Sequence, residues 1–377
     1  MKIVHLYKDY DPVVGGIENH IKLLAESQAH RGHDVTVLVT SQGRRTERYT
    51  QKGVRVIKAA RLAHVASTPL SLPLVSLLCQ PHPDVLHLPF PYSMGEVATL
   101  FRGRARALVV SYQSDVVRQA GLLRLYRPLM MRLLMRADRL IASSPPYVES
   151  STVLRQFRDK VSVVPLGTEI AALQTAPHAQ IAALRARHAP NDEPLILFVG
   201  RFRYYKGVDV LLRAVPHLAR GRVLLVGDGP ERTALERLHA ELGLGERVRF
   251  LGTRPDEELR ALRHTVRESG GLLVLPAKRR SEAFGMVLIE GLAAGLPLVS
   301  TELGTGTSWV NQHGVTGLVV PPADPHALAA AIDRLLADRE TWQRCSDNAR
   351  QRAHRFDIAT MADGVEAVYR QALAQRS

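Results

Sequence analysis

The sequence predicts an α/β protein made of two doubly wound domains, each with a mainly parallel sheet covered by helices. The first observation is length, because 377 residues exceed the size at which one hydrophobic core usually stops growing. The second is a repeated alternation of short apolar runs with amphipathic stretches, which is typical of strands joined by helices. The third is one lapse of this alternation, near residues 165–177, where a Pro-Leu-Gly-Thr segment indicates a domain boundary.

The first domain is predicted to span residues 1–168. Its strand candidates are 2–7, 34–40, 54–58, 84–88, 107–111, 138–142 and 160–165. Its helix candidates begin near Ile17 and continue near 69–79, 118–136 and 145–156. Short strands separated by helices favour a parallel sheet with both faces covered.

A linker is predicted at residues 169–177 and a second domain at 178–355. The strand candidates of the second domain are 195–199, 222–226, 247–251, 271–275 and 297–300. Its helix candidates lie near 206–218, 230–242, 255–264, 284–294 and 324–337. Residues 356–377 are predicted as a C-terminal helix that packs back on the first domain.

Composition indicates an ordinary globular enzyme, with 46% hydrophobic and 23% charged residues. Two cysteines, Cys79 and Cys345, lie too far apart in sequence for a disulfide framework or a metal motif, which favours a reducing compartment. No apolar run is long enough to span a bilayer, and the first seven residues are typical of a buried strand rather than a signal peptide. We therefore expect a cytoplasmic protein.

The formal net charge of +14 is unevenly distributed. Residues 1–175 contain 23 Lys or Arg against 13 Asp or Glu, and the remainder contains 27 against 23. The excess lies in the first domain, which suits an anionic partner there, either nucleic acid or an acidic membrane surface.

Two motifs are typical of anion binding at strand ends. Gly15 and Gly16 precede the first helix, where backbone N–H groups can approach an anion, although a plain turn has the same pattern. In the second domain, Gly200 and Arg201 follow a strand and Lys206 lies five residues later. Arg201 and Lys206 could neutralise a diphosphate from two sides, or they could be solvated surface charges.

Two further motifs follow strands of the second domain. The segment Gly227-Asp228-Gly229-Pro230 is a glycine turn opening a helix, a pattern that is usually structural. More specific is the segment 281–297, in which Glu282 precedes a helix and Glu290 lies on it two turns later. Gly285 can leave the first N–H groups of that helix open to a phosphate or hydroxyl. Because Glu290 lies in an almost wholly apolar helix, its carboxylate requires a hydrogen-bonding partner.

These motifs, together with residues 247–252, resemble the family 4 retaining glycosyltransferases of GT-B architecture. That family includes bacterial mannosyl- and rhamnosyltransferases of surface-polysaccharide and glycolipid assembly, and the resemblance runs nearly end to end. It implies two Rossmann-like domains facing across a cleft, the first for the acceptor and the second for the nucleotide-sugar donor. It also implies retention of configuration, by attack of the acceptor hydroxyl on the same face of the sugar.

The resemblance implies a role for each motif residue. Arg201 and Lys206 would hold the donor diphosphate, Glu290 the ribose hydroxyls, and Glu282 the donor sugar near the reacting carbon. The remaining implied donor contacts are Gly16, Asp228, Leu251, Gly285, Met286 and Val287.

The loop 111–115 departs from the family pattern. Gln113 stands where the family often has a histidine that contacts the donor sugar, and Asp115 follows it; both are candidate catalytic residues. Because Gln donates a hydrogen bond but does not exchange a proton near neutral pH, the histidine-dependent step of the family is in doubt here.

No cofactor is expected, and the sequence favours metal-independent catalysis, because Arg201, Lys206 and helix N–H groups can neutralise a leaving diphosphate. The expected donor is a GDP-sugar rather than a UDP-sugar, with mannose or rhamnose as the sugar. The expected acceptor is a glycan or a lipid-linked glycan, and nucleic acid is not an expected partner.

A basic stretch between Arg118 and Arg136 places arginines among Leu and Met at helical intervals; those within it are Arg124, Arg127 and Arg132. Such a helix can lie on anionic lipid, which would make the enzyme peripheral at the inner face of the membrane. It can equally pack on its own sheet with a solvated arginine face.

Three other functions are weaker alternatives. A basic nucleic-acid-binding protein is supported by net charge but by no zinc-finger spacing or aromatic sheet motif. A non-hydrolysing nucleotide-sugar epimerase would have the same architecture, but the Glu282 to Glu290 pattern favours transfer. An NAD-dependent dehydrogenase lacks Gly-x-Gly-x-x-Gly after the first strand.

Overall fold

A computed structural model of the protein describes residues 1–12, 15–65, 68–78, 82–115 and 120–376. The chain divides into two compact units. The first unit contains Met1–Thr168 and Ile358–Ser377, and the second contains Glu169–Asp357. The described helices include none long and apolar enough to cross a membrane.

The first unit contains an eight-stranded sheet and a separate two-stranded hairpin. Its strands are β1 (Lys2–Leu6), β2 (Asp34–Thr40), β3 (Glu47–Gln51), β4 (Val54–Ala59), β5 (Ala63–Val65), β6 (Thr68–Leu70), β7 (Val85–Phe90), β8 (Ala107–Tyr112), β9 (Arg139–Ala142) and β10 (Val161–Val163). The first five helices are α1 (Gly16–His30), α2 (Leu72–Leu77), α3 (Ser93–Arg102), α4 (Ala120–Arg136) and α5 (Pro145–Ser150). The sheet order is β10-β9-β8-β7-β1-β2-β4-β3.

The central strands of this sheet are continuous buried runs, as parallel strands covered on both faces require. All six residues of β7 and of β8 are buried. At the edge, β3 pairs antiparallel with β4. The sequence did not predict β3, because its residues are polar and mostly exposed and lack an apolar period. The helix predicted at 145–156 is wrong in its second half, where α5 ends at Ser150 and a 3-10 helix, Leu154–Lys160, follows.

The second unit contains a six-stranded, wholly parallel sheet. Its strands are β11 (Leu195–Val199), β12 (Arg222–Val226), β13 (Val248–Gly252), β14 (Leu272–Leu275), β15 (Leu298–Thr301) and β16 (Gly317–Val320). Its helices are α6 (Ile170–Leu173), α7 (His178–His188), α8 (Val208–Ala214), α9 (Arg232–Glu241), α10 (Asp256–Glu268), α11 (Met286–Ala294), α12 (Thr307–Val310), α13 (Pro325–Ala337) and α14 (Arg339–Ala353). The order β13-β12-β11-β14-β15-β16 is the 3-2-1-4-5-6 order of a Rossmann fold.

The segment 169–177, expected as a linker, contains α6 and groups with the second unit. Ile170 of α6 is buried, and two side chains of α10 bind the end of α6. Arg260 donates to the carbonyl of Ala172 at 3.1 Å, and Nε2 of His264 lies 3.0 Å from the carbonyl of Leu173. These contacts fix α6 against α10 within the unit.

The last helix, α15 (Ile358–Ala374), belongs to the first unit. It packs on a cluster that includes Ile3 of β1, Val85 of β7 and Val109 of β8, all fully buried. The hydroxyl of Tyr369 lies 2.8 Å from Nδ1 of the buried His87. The helix therefore supplies one wall of the hydrophobic core of the first unit.

Candidate functional site

The strand order of the second unit determines where a ligand site is expected. Sheets of this order bind ligands at the carboxyl ends of the strands where the order reverses. The reversal lies between β11 and β14, which are neighbours in the sheet. The loop that carries Arg201 and Lys206 follows β11, and the segment that carries Glu282 follows β14. The fold thus places both motifs at the same edge.

Lys206 and Glu282 form an ion pair at this edge. Nζ of Lys206 lies 2.5 Å from Oε2 of Glu282, and the side chains are only 14% and 10% exposed. Burial alone would lower the pKa of Lys206, but the neighbouring groups, Glu282 foremost, together outweigh burial, so the pKa is raised. Lys206 therefore stays charged in a site largely shielded from water, where a cation acts strongly on an anionic ligand.

Glu290 belongs to the same cluster. Its carboxylate is close enough to contribute to the raised pKa of Lys206. The sequence predicted that the Glu290 carboxylate needs a hydrogen-bonding partner. This is confirmed, because Nη2 of Arg263 donates to Oε2 of Glu290. Arg263 lies on α10 and was missed as a site residue. It lies in the run Ala261–Val266, whose residues are all buried in the structure, and no pattern in the sequence singled it out.

The N-terminus of α11 lies between the two glutamates in sequence. Gly285, at φ +82°, is the residue before the helix, and an added Cβ would lie 3.0 Å from Leu275 and Leu288. A non-glycine residue would be strained there. Within the described ranges, the N–H groups of Met286 and Val287 have no hydrogen-bond partner. They can donate hydrogen bonds to an anion, which is the role predicted for these positions.

The glycines of the Gly227-Asp228-Gly229-Pro230 segment pack against the loop that carries Arg201 and Lys206. A Cβ on Gly227 would lie 2.0 Å from the carbonyl oxygen of Gly200, and one on Gly229 would lie 2.4 Å from that of Phe202. The two loops therefore touch through their backbones. Asp228 acts locally: its carboxylate accepts from the N–H of Gly229 at 2.6 Å and pairs with Arg232.

Arg201 and Leu251 complete the candidates of the second unit. The side chain of Arg201 is exposed, and no described residue pairs with it. It is thus available to a ligand. Leu251 lies in β13 and is half-buried. Its neighbour Gly252, at φ +70°, accepts from the N–H of Gly227, so this strand end lies beside the glycine turn.

In the first unit, Gly16 begins α1, and a Cβ there would meet open space. At Gly15 the position is different, because a Cβ would lie 2.1 Å from Oε2 of Glu18. Glu18 is itself buried and lies 3.7 Å from Lys8. The structure therefore places a carboxylate of the chain itself over Gly15, while Gly16 stays open.

Gln113 and Asp115 follow β8. Asp115 is held within the unit: its Oδ1 accepts from Tyr112 at 3.0 Å and from Ser151 at 2.8 Å. Gln113 is buried and lines a small cavity of about 10 Å³ with His20 and Ser143. Burial lowers the pKa of His20 to about 4, and both of its ring nitrogens lack a partner among the described residues. The cavity has a mixed polar and apolar lining, and its histidine is neutral.

The basic stretch corresponds to α4, but only part of it is described. Arg118 lies outside the described residues, as does the side chain of Arg124. Arg127 and Arg132 are exposed. Arg136 instead donates to the carbonyls of Thr99, Leu100 and Gly103 and so caps the C-terminus of α3. Its guanidinium is therefore held by α3, and its contact with lipid stays a prediction.

Comparison with known proteins establishes the family of this chain. Residues 180–352 match the model of glycosyl transferases group 1, and residues 15–167 match the glycosyl transferase 4-like domain. The protein is 38% identical to O-antigen chain mannosyltransferase C of Escherichia coli, over 100% of both chains. The chain belongs to the group 1 glycosyltransferase family. This glycosyltransferase is an enzyme that transfers sugar.

Two further comparisons agree with this assignment. The glycosyltransferase is 38% identical to D-rhamnosyltransferase WbpZ of Pseudomonas aeruginosa, over 93% of this chain and 91% of the relative. It aligns with the solved sucrose-phosphate synthase (tll1590) from Thermosynechococcus elongatus at a TM-score of 0.81 and 25% identity, over 99% of each chain. The predicted family and the GT-B fold class, with two Rossmann-like α/β units, are confirmed.

Proposed function

We propose that this glycosyltransferase transfers a mannosyl or rhamnosyl group, with retention, from a nucleoside diphosphate sugar to a glycan or lipid-linked acceptor. The observation that carries the proposal is the cluster of Lys206, Glu282 and Glu290 at the strand reversal of the second unit. The relatives that act as an O-antigen chain mannosyltransferase and a D-rhamnosyltransferase support the sugar and the polysaccharide acceptor.

The residue roles follow from charge and exposure. Lys206 and the exposed Arg201 would neutralise the diphosphate, helped by the N–H groups of Met286 and Val287. Glu282 would stabilise positive charge at the reacting carbon of the sugar. The acceptor oxygen forms its bond to that carbon as the carbon–phosphate oxygen bond breaks. The proton of the acceptor hydroxyl passes to the leaving diphosphate.

Gln113 and Asp115 would act differently from each other in this reaction. Asp115 is engaged by Tyr112 and Ser151, so it would fix the loop after β8. The Gln113 amide would donate a hydrogen bond to a sugar hydroxyl without moving a proton. Gly16, where an added Cβ would meet open space, would leave its backbone free to approach an anion.

A panel of nucleoside diphosphates should identify the donor. We expect one of GDP, UDP, ADP and dTDP to raise the melting temperature, because a ligand selective for the native state stabilises it, and we favour GDP. No shift of the melting temperature with any of these nucleotides would contradict the function itself.

Within the described ranges no cluster of three or more His, Cys, Asp or Glu residues could hold a metal ion. Sugar transfer should therefore continue in EDTA. Loss of transfer in EDTA that Mg²⁺ or Mn²⁺ restores would contradict metal independence.

We also propose that the first unit binds the inner face of a membrane in the cytoplasm. Arg127 and Arg132 are exposed on α4. Large apolar side chains are exposed in the same unit, including Phe101 (77%) at the end of α3 and Leu72 (69%) at the start of α2. Helix α3 packs against both α2 and α4. Exposed arginines and apolar side chains together suit an anionic lipid surface.

Liposome flotation should detect this contact. Each arginine near an anionic surface contributes on the order of 1 kcal/mol, so the double variant Arg127→Gln, Arg132→Gln should float several-fold less with anionic vesicles. Wild-type binding should weaken with salt. The matched control, Arg213→Gln with Arg237→Gln, removes two exposed charges from the second unit and should float like wild type. Equal flotation of wild type with neutral and anionic vesicles would refute the membrane proposal.

A further inference from the structure

Arg263 is the most deeply buried cation among the residues that contact the predicted donor site. It is 4% exposed, and its Nη2 donates to Oε2 of Glu290. Its Nε is also buried and has no partner among the described residues. A guanidinium does not lose its proton in proteins, so its burial costs free energy unless an anion is held against it. Glu290 is that anion.

The contact leaves half of the Glu290 carboxylate free. The Glu290 side chain is 30% exposed, and its Oε1 has no partner among the described residues. Arg263 therefore fixes one oxygen on the protein side and leaves the other toward solvent. A carboxylate held in this way can accept hydrogen bonds from a ligand without losing side-chain freedom when the ligand binds.

Arg263 is itself held on a fixed element. One turn before it, Arg260 binds the carbonyl of Ala172, and His264 lies against the carbonyl of Leu173. Helix α10 is thereby attached to α6 on one side and to Glu290 of α11 on the other. A residue on such an element can position a second side chain to within the tolerance that hydrogen bonding requires.

Charge balance gives a second reason for Arg263. The cluster contains two carboxylates, Glu282 and Glu290, and Lys206 pairs with Glu282. Lys206, Glu282 and Glu290 together carry one net negative formal charge, and Arg263 brings the sum to zero. Arg263 balances the charge of Glu290 and so leaves Lys206 and Arg201 to serve the phosphates.

We propose that Arg263 is a positioning residue for recognition of the donor ribose: it holds Oε2 of Glu290 so that Oε1 accepts hydrogen bonds from the 2′ and 3′ hydroxyls. This inference rests on the proposed nucleotide-sugar function. It adds a consequence, which is that the enzyme discriminates a ribonucleoside diphosphate from its 2′-deoxy counterpart. It also assigns that discrimination to a residue on a different helix from Glu290.

Calorimetric titration with GDP and 2′-deoxy-GDP, and with UDP and 2′-deoxy-UDP, tests the proposal. Wild type should bind the ribonucleotide about tenfold or more tightly than its deoxy counterpart, the loss expected when a buried polar group is left without its partner. Arg263→Met should lose most of this preference, chiefly through weaker binding of the ribonucleotide. Arg263→Lys keeps the positive charge but not the planar, forked guanidinium, so it should retain part of the preference for the ribonucleotide.

Two further variants separate positioning from folding. Arg267→Met removes another arginine of α10, about one turn after Arg263, and it should keep the wild-type preference. Glu290→Gln alone should lose the preference. The double variant Arg263→Met, Glu290→Gln leaves neither charge of this pair without its partner, so it should melt close to wild type. Its remaining preference for the ribonucleotide should equal that of Glu290→Gln alone.

Each outcome distinguishes this inference from the proposed function. If wild type binds no nucleoside diphosphate, the proposed function fails. If wild type binds ribo and deoxy forms equally, or if Arg263→Met keeps the full preference, the role of Arg263 fails and the function stands. If Arg267→Met loses the preference as fully as Arg263→Met, the effect belongs to helix packing and the positioning role fails.

Discussion

Replacing Glu282 with glutamine should slow sugar transfer by about two orders of magnitude while leaving affinity for the nucleoside diphosphate unchanged or higher. The carboxylate is expected to oppose positive charge that exists only in the transition state, so its loss lowers the rate and not ground-state binding. The glutamate also pairs with Lys206 at 2.5 Å. A neutral side chain releases the lysine charge to the diphosphate, which is why affinity should not fall.

The measurement combines steady-state rates with calorimetric titration of the diphosphate. Glu290→Ala should behave in the opposite way, with weaker binding of the free diphosphate, because its proposed contact is with the ribose. Glu241→Gln, an exposed glutamate at the end of α9, is the matched control and should be unchanged. If Glu282→Gln transfers sugar at the wild-type rate, the glutamate has no role in the chemistry. A loss of rate that only follows a loss of thermal stability would make it a packing residue.

Replacing Lys206 with methionine should weaken binding of the diphosphate by about tenfold to a hundredfold and reduce transfer by a similar or larger factor. The lysine is 14% exposed and charged, and charge-assisted contacts in shielded sites are worth about 1.5–3 kcal/mol. The substitution also leaves Glu282 shielded without its cation. Thermal stability should therefore fall together with binding.

A double variant separates these two effects. Lys206→Met combined with Glu282→Gln removes both charges and should regain most of the melting temperature, yet it should bind the diphosphate as weakly as Lys206→Met alone. Lys278→Met is the control, because that lysine follows the neighbouring strand and pairs at 2.8 Å with Asp209. Recovery of binding along with stability in the double variant would show that Lys206 only neutralises Glu282.

The sequence was sufficient for the parts of the site that follow strands. Lys206 comes after β11 and Glu282 comes after β14, and the reversal of strand order brings those two strand ends together. Local pattern thus placed both residues at strand ends, and the fold brings the two side chains into contact. The same reasoning predicted that Glu290 needs a partner, because an ionised side chain in an apolar helix cannot be left bare.

The sequence was insufficient where contacts come from elements that local pattern does not orient. Arg263 lies on α10, which follows another strand, and an arginine in an amphipathic helix is usually solvated. Arg136 fits a lipid-facing stripe by spacing but caps α3, because the end of that helix lies beside it. The polar β3 joins the sheet through backbone pairing with β4, which no hydrophobic period signals.

The placement of α15 has a consequence for the order in which the chain folds during synthesis. Ile3, Val85 and Val109 are made early, but the helix that covers them is made after the whole second unit. At about 5–20 residues per second, the intervening 169–357 segment takes roughly 10–40 s to translate. Throughout that interval one face of the first sheet is not covered by α15 and is exposed to other chains. A ribosome that stops before codon 358 releases a protein that has every predicted donor-binding residue but lacks the helix that completes the hydrophobic core of the first unit.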